Sequence, residues 1–283
     1  MVHDTNGMTG QQADQLRQAW DAIADRYDAV VTPSNARLAN TALERIDLRP
    51  GVHFLDVASG TGALSLAAAR RGATVLATDI SPCMIERLTD NARRQGLSRV
   101  EGRVMDGQEL DIDDSTFDCS GSMFGVMLFP DLPRGLREMV RVTKPDGQVL
   151  MVTFGPPANV EFLQLFIRAA HQVVPEFTGL PMDPPPLPFQ VSSPAKLRDE
   201  MVTAGLREVR VETVSERKEL ESGLQLWTWI ASSNPIGAAM TASLSPEQGE
   251  SVRAVLDETL RQRAGGNGTA TITNAVNIAT GTV

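Results

Sequence analysis

The chain has 283 residues, a formal net charge of -9, and 42% hydrophobic and 22% charged residues, an acidic globular balance that excludes a broad basic face for nucleic acid. Its two cysteines, Cys83 and Cys119, exclude a disulfide framework and a cysteine-rich metal site. No apolar run reaches the roughly 18 residues of a membrane span, and the polar start MVHDTNGMTGQQ has no signal pattern, so a cytoplasmic location is expected.

Residues 1–10 read as a disordered tail. From Gln11, the residues Leu16, Ala19, Trp20, Ile23 and Tyr27 recur at helical spacing, and a second helix is expected from about Asn35 to Ile46. Arg49-Pro50-Gly51 turns into Phe54-Leu55-Asp56-Val57, a short apolar strand that stops at Ala58-Ser59-Gly60-Thr61-Gly62. A helix with Leu64, Leu66, Ala67, Ala68 and Ala69 follows. It ends near Gly72, before a buried-type strand from Thr74 to Thr78 that finishes on Asp79. This is a complete βαβ unit, and its strand-to-helix glycines let the backbone approach a ligand at the strand ends.

Ser81-Pro82 starts the next helix, with Met84, Ile85 and Leu88 facing inward and Gly96 as its stop. Val100 to Met105 is a third strand leading to Asp106, and Phe117 to Phe124 a fourth. A helix from Leu136 to Val142 passes through a compact Lys144-Pro145-Asp146-Gly147 turn into a fifth strand, Gln148 to Phe154. An apolar helix from Phe162 to Ala170 precedes a proline-dense stretch, 175–189, which cannot be helix or central strand. Ser193-Pro194 opens a helix ended by Gly205, and Glu208 to Val214 alternates as a sixth strand. Leu224 to Ile230 forms an aromatic-rich helix, Ser245-Pro246 caps a helix to about Arg263, Gly265 to Gly268 turns, and Thr271 to Gly281 is the last strand.

Two cofactors could use the glycine loop. A dinucleotide fingerprint wants a third glycine where Ser65 stands, and the carboxylate of Asp56 would repel a pyrophosphate. That carboxylate suits a ligand with an ammonium group instead. The segments Phe54–Asp79 and Val126–Phe154, with Trp20-x-x-x-Ala24-x-x-Tyr27-Asp28 ahead of them, resemble the class I S-adenosylmethionine-dependent methyltransferases. The pattern is most similar to the ubiquinone/menaquinone C-methyltransferases, on Asp56-Val57-Ala58, Phe117-Asp118, Phe124-Gly125 and the Lys-Pro-x-Gly turn. It departs from them at Val126-Met127-Leu128, where Leu-Arg-Asn is usual, at Ser59, and at Ala58 in place of the first motif glycine.

The resemblance implies an α/β fold: a Rossmann-like seven-stranded sheet of order 3-2-1-4-5-7-6 whose last strand is antiparallel, with a helical lid and an insertion. It implies S-adenosyl-L-methionine as cofactor and S-adenosyl-L-homocysteine as product. Asp79 would take the ribose hydroxyls, Asp106 the adenine amino group, and the Gly107 backbone N–H the ring. Tyr27 would lie on the lid near cofactor or substrate. Asp56, Ala58, Ser59, Gly60, Gly62, Ile80, Met84 and Ser122 complete the expected cofactor shell. One domain over 11–283 is expected, comprising lid helices 11–48, cofactor core 49–155, substrate-side insertion and sixth strand 156–245, and last helix and strand 246–283.

Methyl transfer needs alignment more than acid or base. If a base assists, His171 is the candidate, being the histidine of the substrate-side half, with Tyr27 the other candidate catalytic group; His53 reads as structural and His3 lies in the tail. No metal is expected, because Asp131 is an isolated acid. The partner is a small molecule, with no nucleic acid and no membrane span. Phe162, Phe166, Phe177, Leu180, Met182, Leu187 and Phe189 suit a lid over a hydrophobic, cyclic or aromatic acceptor, or else padding of the sheet or a homodimer contact. The rival functions are a catalytically silent S-adenosylmethionine-binding regulator and a nicotinamide oxidoreductase, the latter weakened by Ser65 and Asp56.

Overall fold

Alternating side chains on the strands feed two separate cores, one on each face of a seven-stranded sheet. The computed structural model describes residues 10–177, 179, 183–265 and 268–283. Its strands are β1 (His53–Val57), β2 (Thr74–Asp79), β3 (Val100–Val104), β4 (Phe117–Met123), β5 (Thr143–Phe154), β6 (Arg207–Leu220) and β7 (Ala270–Thr282). They lie in the order β3-β2-β1-β4-β5-β7-β6, with β7 antiparallel to both neighbours, as the resemblance implies. The helices are α1 (Gly10–Asp21), the single turn α2 (Ala24–Arg26), α3 (Thr32–Leu43), α4 (Ala63–Arg70), α5 (Pro82–Arg94), α6 (Leu132–Val142), α7 (Glu161–Val173), α8 (Pro194–Thr203), α9 (Gly223–Ser233), α10 (Pro235–Ala242) and α11 (Pro246–Arg263).

Phe54, Val75, Leu150 and Val152 join Leu38 and Leu43 of α3 and Leu64 of α4 in one core. Their neighbours Leu55, Val57, Val149 and Met151 join Leu136 and Met139 of α6 and Leu197 of α8 in the other. Phe54 and Leu55 are both fully buried on opposite faces, and each such burial contributes about 1.5–3 kcal/mol. A one-residue register slip would exchange the two sets, so the pairing of β1 with β2 and β4 is strongly specified.

Several expected boundaries shift, each for a local reason. The helical pattern Leu16–Tyr27 is interrupted by a turn at Ala22-Ile23 and continues as α2 and a π-helical turn, Tyr27–Val31. That break lets Asp21 Oδ1 accept from Ser81 Oγ at 2.5 Å and from the Cys83 N–H at 3.3 Å, pinning the segment to α5. Helix α6 starts at Leu132, four residues before the expected Leu136, because Asp131 caps it by accepting from the Arg134 N–H at 2.9 Å. Residues 144–147 are a bulge inside β5 rather than a turn before it: Phe117 pairs with Thr143 and Cys119 already with Gln148.

The expected tail, except Gly10, lies outside the described residues, as do Thr178, Leu180, Pro181 and Met182 of the proline-rich stretch. Strand β6 runs on to Leu220 because β7 pairs with it back to Ala270. The β6–β7 pair therefore extends past Phe154, the last residue of β5, on the side of the sheet where the strand ends gather. No described helix is long and apolar enough to cross a membrane.

Candidate functional site

The loop after β1 is held in an unusual backbone conformation. Ala58 (φ 54), Gly60 (φ 53) and Gly62 (φ 101) are all left-handed, so the chain reverses within five residues and hands over to α4. Phe124 (φ 60), at the end of β4, is a second non-glycine residue in this region. Such residues cost of order 1 kcal/mol or more and mark sites where the surroundings impose the geometry. The two loops approach closely here, since a Cβ on Gly125 would lie 2.5 Å from Ala58 Cβ and 2.9 Å from Ser122 Oγ.

A cavity opens where these loops meet. Ala58, Gly60, Asp79 and Ile80 line it from the first two strands, and Met105, Asp106, Gly107 and Gln108 from the third. Met123, Phe124, Gly125, Leu128 and Phe129 wall it from the fourth, and Leu16, Trp20 and Tyr27 close it from the N-terminal segment. That segment is tied down: Asp28 accepts from Asn91 Nδ2 at 2.6 Å, Asn91 Nδ2 also donates to the Thr61 carbonyl, and the Thr32 and Thr61 hydroxyls meet at 2.5 Å.

Two buried carboxylates dominate the electrostatics. Asp79 accepts from the Gly60 N–H at 2.9 Å and the Ser81 N–H at 3.0 Å. Burial nevertheless lifts it to about 6 against those hydrogen bonds. Asp56 sits beneath the loop, where Oδ2 accepts from Ser65 Oγ at 2.5 Å. Burial is the main cause that lifts it to about 7, with the charge of Asp79 adding to it. Ser65, which breaks the dinucleotide fingerprint, thus has a positive role in positioning Asp56. Burial, followed by the charges of Asp79 and Asp56, raises the Tyr27 phenol above its ordinary range, so Tyr27 is a neutral hydroxyl here.

Two buried polar atoms here, Asp56 Oδ1 and Ser59 Oγ, have no hydrogen-bond partner among the described residues. An orphaned carboxylate oxygen is costly unless a ligand supplies a donor, and an ammonium group on the expected cofactor would do so. The third strand end is tightly braced. Asp106 Oδ1 accepts from the Gln108 backbone N–H at 2.9 Å and its Nε2 at 3.2 Å, while Gln108 Oε1 accepts from the Asp131 N–H at 3.0 Å. Gly107 admits no side chain, because a Cβ there would meet Phe129 Cζ at 2.5 Å and Val57 Cγ1 at 2.7 Å.

Of the expected residues, Tyr27, Ala58, Gly60, Asp79, Ile80, Asp106 and Gly107 come together on the cavity wall. Asp56, Ser59 and Gly62 shape the loop behind it. Met84 is buried against Ile23 and Ala24, and Ser122 Oγ accepts from the Val126 N–H at 3.0 Å, so both hold the frame. His171 is not brought here: it stands exposed in the last turn of α7. His53 is also exposed, its N–H donating to Asp118 Oδ2 at 2.8 Å. Nor do Phe162, Phe166 and Phe189 line the cavity. They are core residues, Phe162 and Phe189 packing on Phe154 and Phe166 on Trp227. The expectation missed Gln108, Leu128 and Phe129, which carry no glycine, strand-end or periodic signal.

The profile of the ubiE/COQ5 methyltransferase family matches residues 8–183. Nocamycin O-methyltransferase of Saccharothrix syringae is 29% identical over 230 residues, 74% of this chain and 79% of that one. A demethylmenaquinone methyltransferase of Corynebacterium kroppenstedtii is 30% identical over 57% of this chain and 69% of its own. The solved phosphoethanolamine N-methyltransferase 2 of Haemonchus contortus, in complex with S-adenosylhomocysteine, shares the fold with a TM-score of 0.58 at 15% identity, over 98% of this chain and 60% of that one.

Proposed function

The chain belongs to the ubiE/COQ5 methyltransferase family and is an S-adenosylmethionine-dependent methyltransferase; from that premise we propose that its acceptor is a hydrophobic, cyclic or aromatic small molecule held against the wall at the end of β4. The observation that carries this reading is the apolar surface that Met123, Phe124, Leu128 and Phe129 contribute to the cavity. Phe124 is backed by Phe154, with ring centroids 4.7 Å apart, and so forms a rigid platform. The relatives named for nocamycin and demethylmenaquinone support a small-molecule acceptor.

Bound S-adenosylmethionine supplies an electrophilic methyl group on a sulfonium that departs as a neutral thioether. The protein's part is to bind, align and dry the site. Asp79 would hold the ribose hydroxyls and Asp106 with the Gly107 N–H the adenine, while Asp56, behind the loop with Oδ1 unpaired among the described residues, would answer the ammonium end. Ile80 and Met105 would flank the ring. Leu16, Trp20 and Tyr27 exclude water from above, and alignment of this kind is worth effective molarities of about 10⁵–10⁸ M. Tyr27 serves as a neutral donor and packing group, since its raised pKa opposes a role as base.

The test is an acceptor panel with purified protein and S-adenosylmethionine, following S-adenosylhomocysteine release. Phenols, hydroquinols and cyclic enols should include turned-over acceptors, and Phe124→Ala should raise the acceptor KM with little change in cofactor affinity. Transfer confined to polar amines would overturn the reading. So would tight cofactor binding with no product on any acceptor, which would favour the silent regulator.

A further inference from the structure

A second cleft, of about 570 Å³, opens on the far side of the turn that carries Tyr27. The π-helical turn Tyr27–Val31 presents Tyr27 to the cofactor cavity and Val30 to this cleft, so one turn of backbone separates the two. The floor is apolar, formed by Val30, Leu226, Trp229 and Ile272. The rim carries Arg37, Arg217 and Lys218 against the single carboxylate of Glu219.

These cations are not equivalent. Lys218 Nζ lies 2.9 Å from Glu216 Oε1, with both side chains under 10% exposed, and sits 5.1 Å from the centroid of the Trp229 ring. Trp229 is fixed further by its Nε1–H, which donates to Ser34 Oγ at 3.1 Å. Lys218 is therefore neutralised and structural. Arg37 and Arg217 are both exposed, and among the described residues neither has a carboxylate within ion-pair distance. Arg37 Nη2 donates to the Arg217 carbonyl at 2.6 Å, which holds its guanidinium across to β6. In a chain of net charge -9, the held guanidinium of Arg37 and the exposed one of Arg217, neither paired with a carboxylate among the described residues, stand at the rim of an apolar floor and are suited to a planar anion.

We propose that this cleft is a second binding site, taking an amphipathic anion whose apolar ring packs on the cleft floor beside Val30 while its carboxylate or sulfonate is held by Arg37 and Arg217. The site is independent of the acceptor assignment made for the cofactor cavity.

The probe is 2-naphthoate, with 2-naphthamide as its uncharged match, titrated calorimetrically into the full chain saturated with S-adenosylhomocysteine so that the first cavity is filled. Naphthoate should bind roughly tenfold or more tighter than the amide, the worth of a charge-assisted hydrogen bond. The double variant Arg37→Gln/Arg217→Gln should bring naphthoate down to the amide's affinity while leaving S-adenosylhomocysteine affinity and the melting temperature unchanged. Equal binding of the two probes would overturn the proposal, as would naphthoate affinity that survives the double variant, or no naphthoate binding at millimolar concentration. If cofactor affinity fell with the double variant, the two clefts would be one site and the assignment of separate ligands would be wrong.

Discussion

Tyr27 lies directly against the backbone of Gly60: a Cβ built on Gly60 would sit 3.2 Å from Tyr27 Cε1 and 3.5 Å from its hydroxyl oxygen. The glycine therefore does two jobs, adopting φ 53 and leaving room for the ring that closes the cavity. Replacing it by Val should expel Tyr27 and abolish S-adenosylhomocysteine binding, while the far-ultraviolet circular dichroism stays that of a folded protein. Retained binding in a calorimetric titration would show that the close approach of Tyr27 is incidental.

Asp79 is the acid on which the second strand ends, and it already accepts from two backbone N–H groups. Asp79→Ala should weaken the cofactor by about one to three kcal/mol, the cost of removing a charged acceptor from buried hydroxyls. Asp79→Asn should recover part of that loss. An unchanged dissociation constant would remove Asp79 from the site.

The two buried carboxyls predict opposite pH trends for the free and the loaded protein. Both are raised above their ordinary values, Asp56 to about 7 and Asp79 to about 6, chiefly by burial. A raised carboxyl makes the unliganded fold bind more protons than the unfolded chain. These groups therefore stabilise it most at low pH, and that contribution is lost as pH rises through about 4 to 7. Cofactor binding needs the ionised forms, so affinity should fall as pH drops below about 7, approaching a tenfold loss per pH unit per group. Calorimetry from pH 5.5 to 8.5 checks this, and Asp56→Asn should flatten the upper part of the curve.

The Lys218–Glu216 pair is buried on both sides. Lys218→Met alone should destabilise the fold by about 3–5 kcal/mol, because it strands the Glu216 carboxylate, whereas the double change Lys218→Met/Glu216→Leu should recover most of the loss. Denaturant melts of the two single variants and the double variant give the coupling directly. Additive losses would mean that the two charges do not depend on each other.

Elsewhere, local signals translated well into structure. The glycine turn after β1 and the Ser81 and Ser193 caps followed from patterns that constrain backbone geometry within a few residues, whereas the strand order followed from the family resemblance. Where a signal was overlooked, as at Asp131-Leu132-Pro133, the boundary moved by a turn. Strand-end acids at 79 and 106 were legible for the same reason: a parallel sheet brings its strand termini to one edge whatever packs around it.

By itself, then, the sequence determined the frame of the cofactor site, because glycine spacing and strand ends act locally. Only the tertiary structure decided which apolar side chains wall the cavity. Phe129 and Phe162 are alike as residues in an apolar context, yet Phe129 closes on Gly107 and Phe162 packs between Phe154 and Trp229. His171 met the compositional criterion for a base but faces solvent, since the phase of α7 on β7 and α11 sets its direction. Local periodicity encodes which face of a helix is apolar; where that face docks is settled by contacts between segments far apart in the chain.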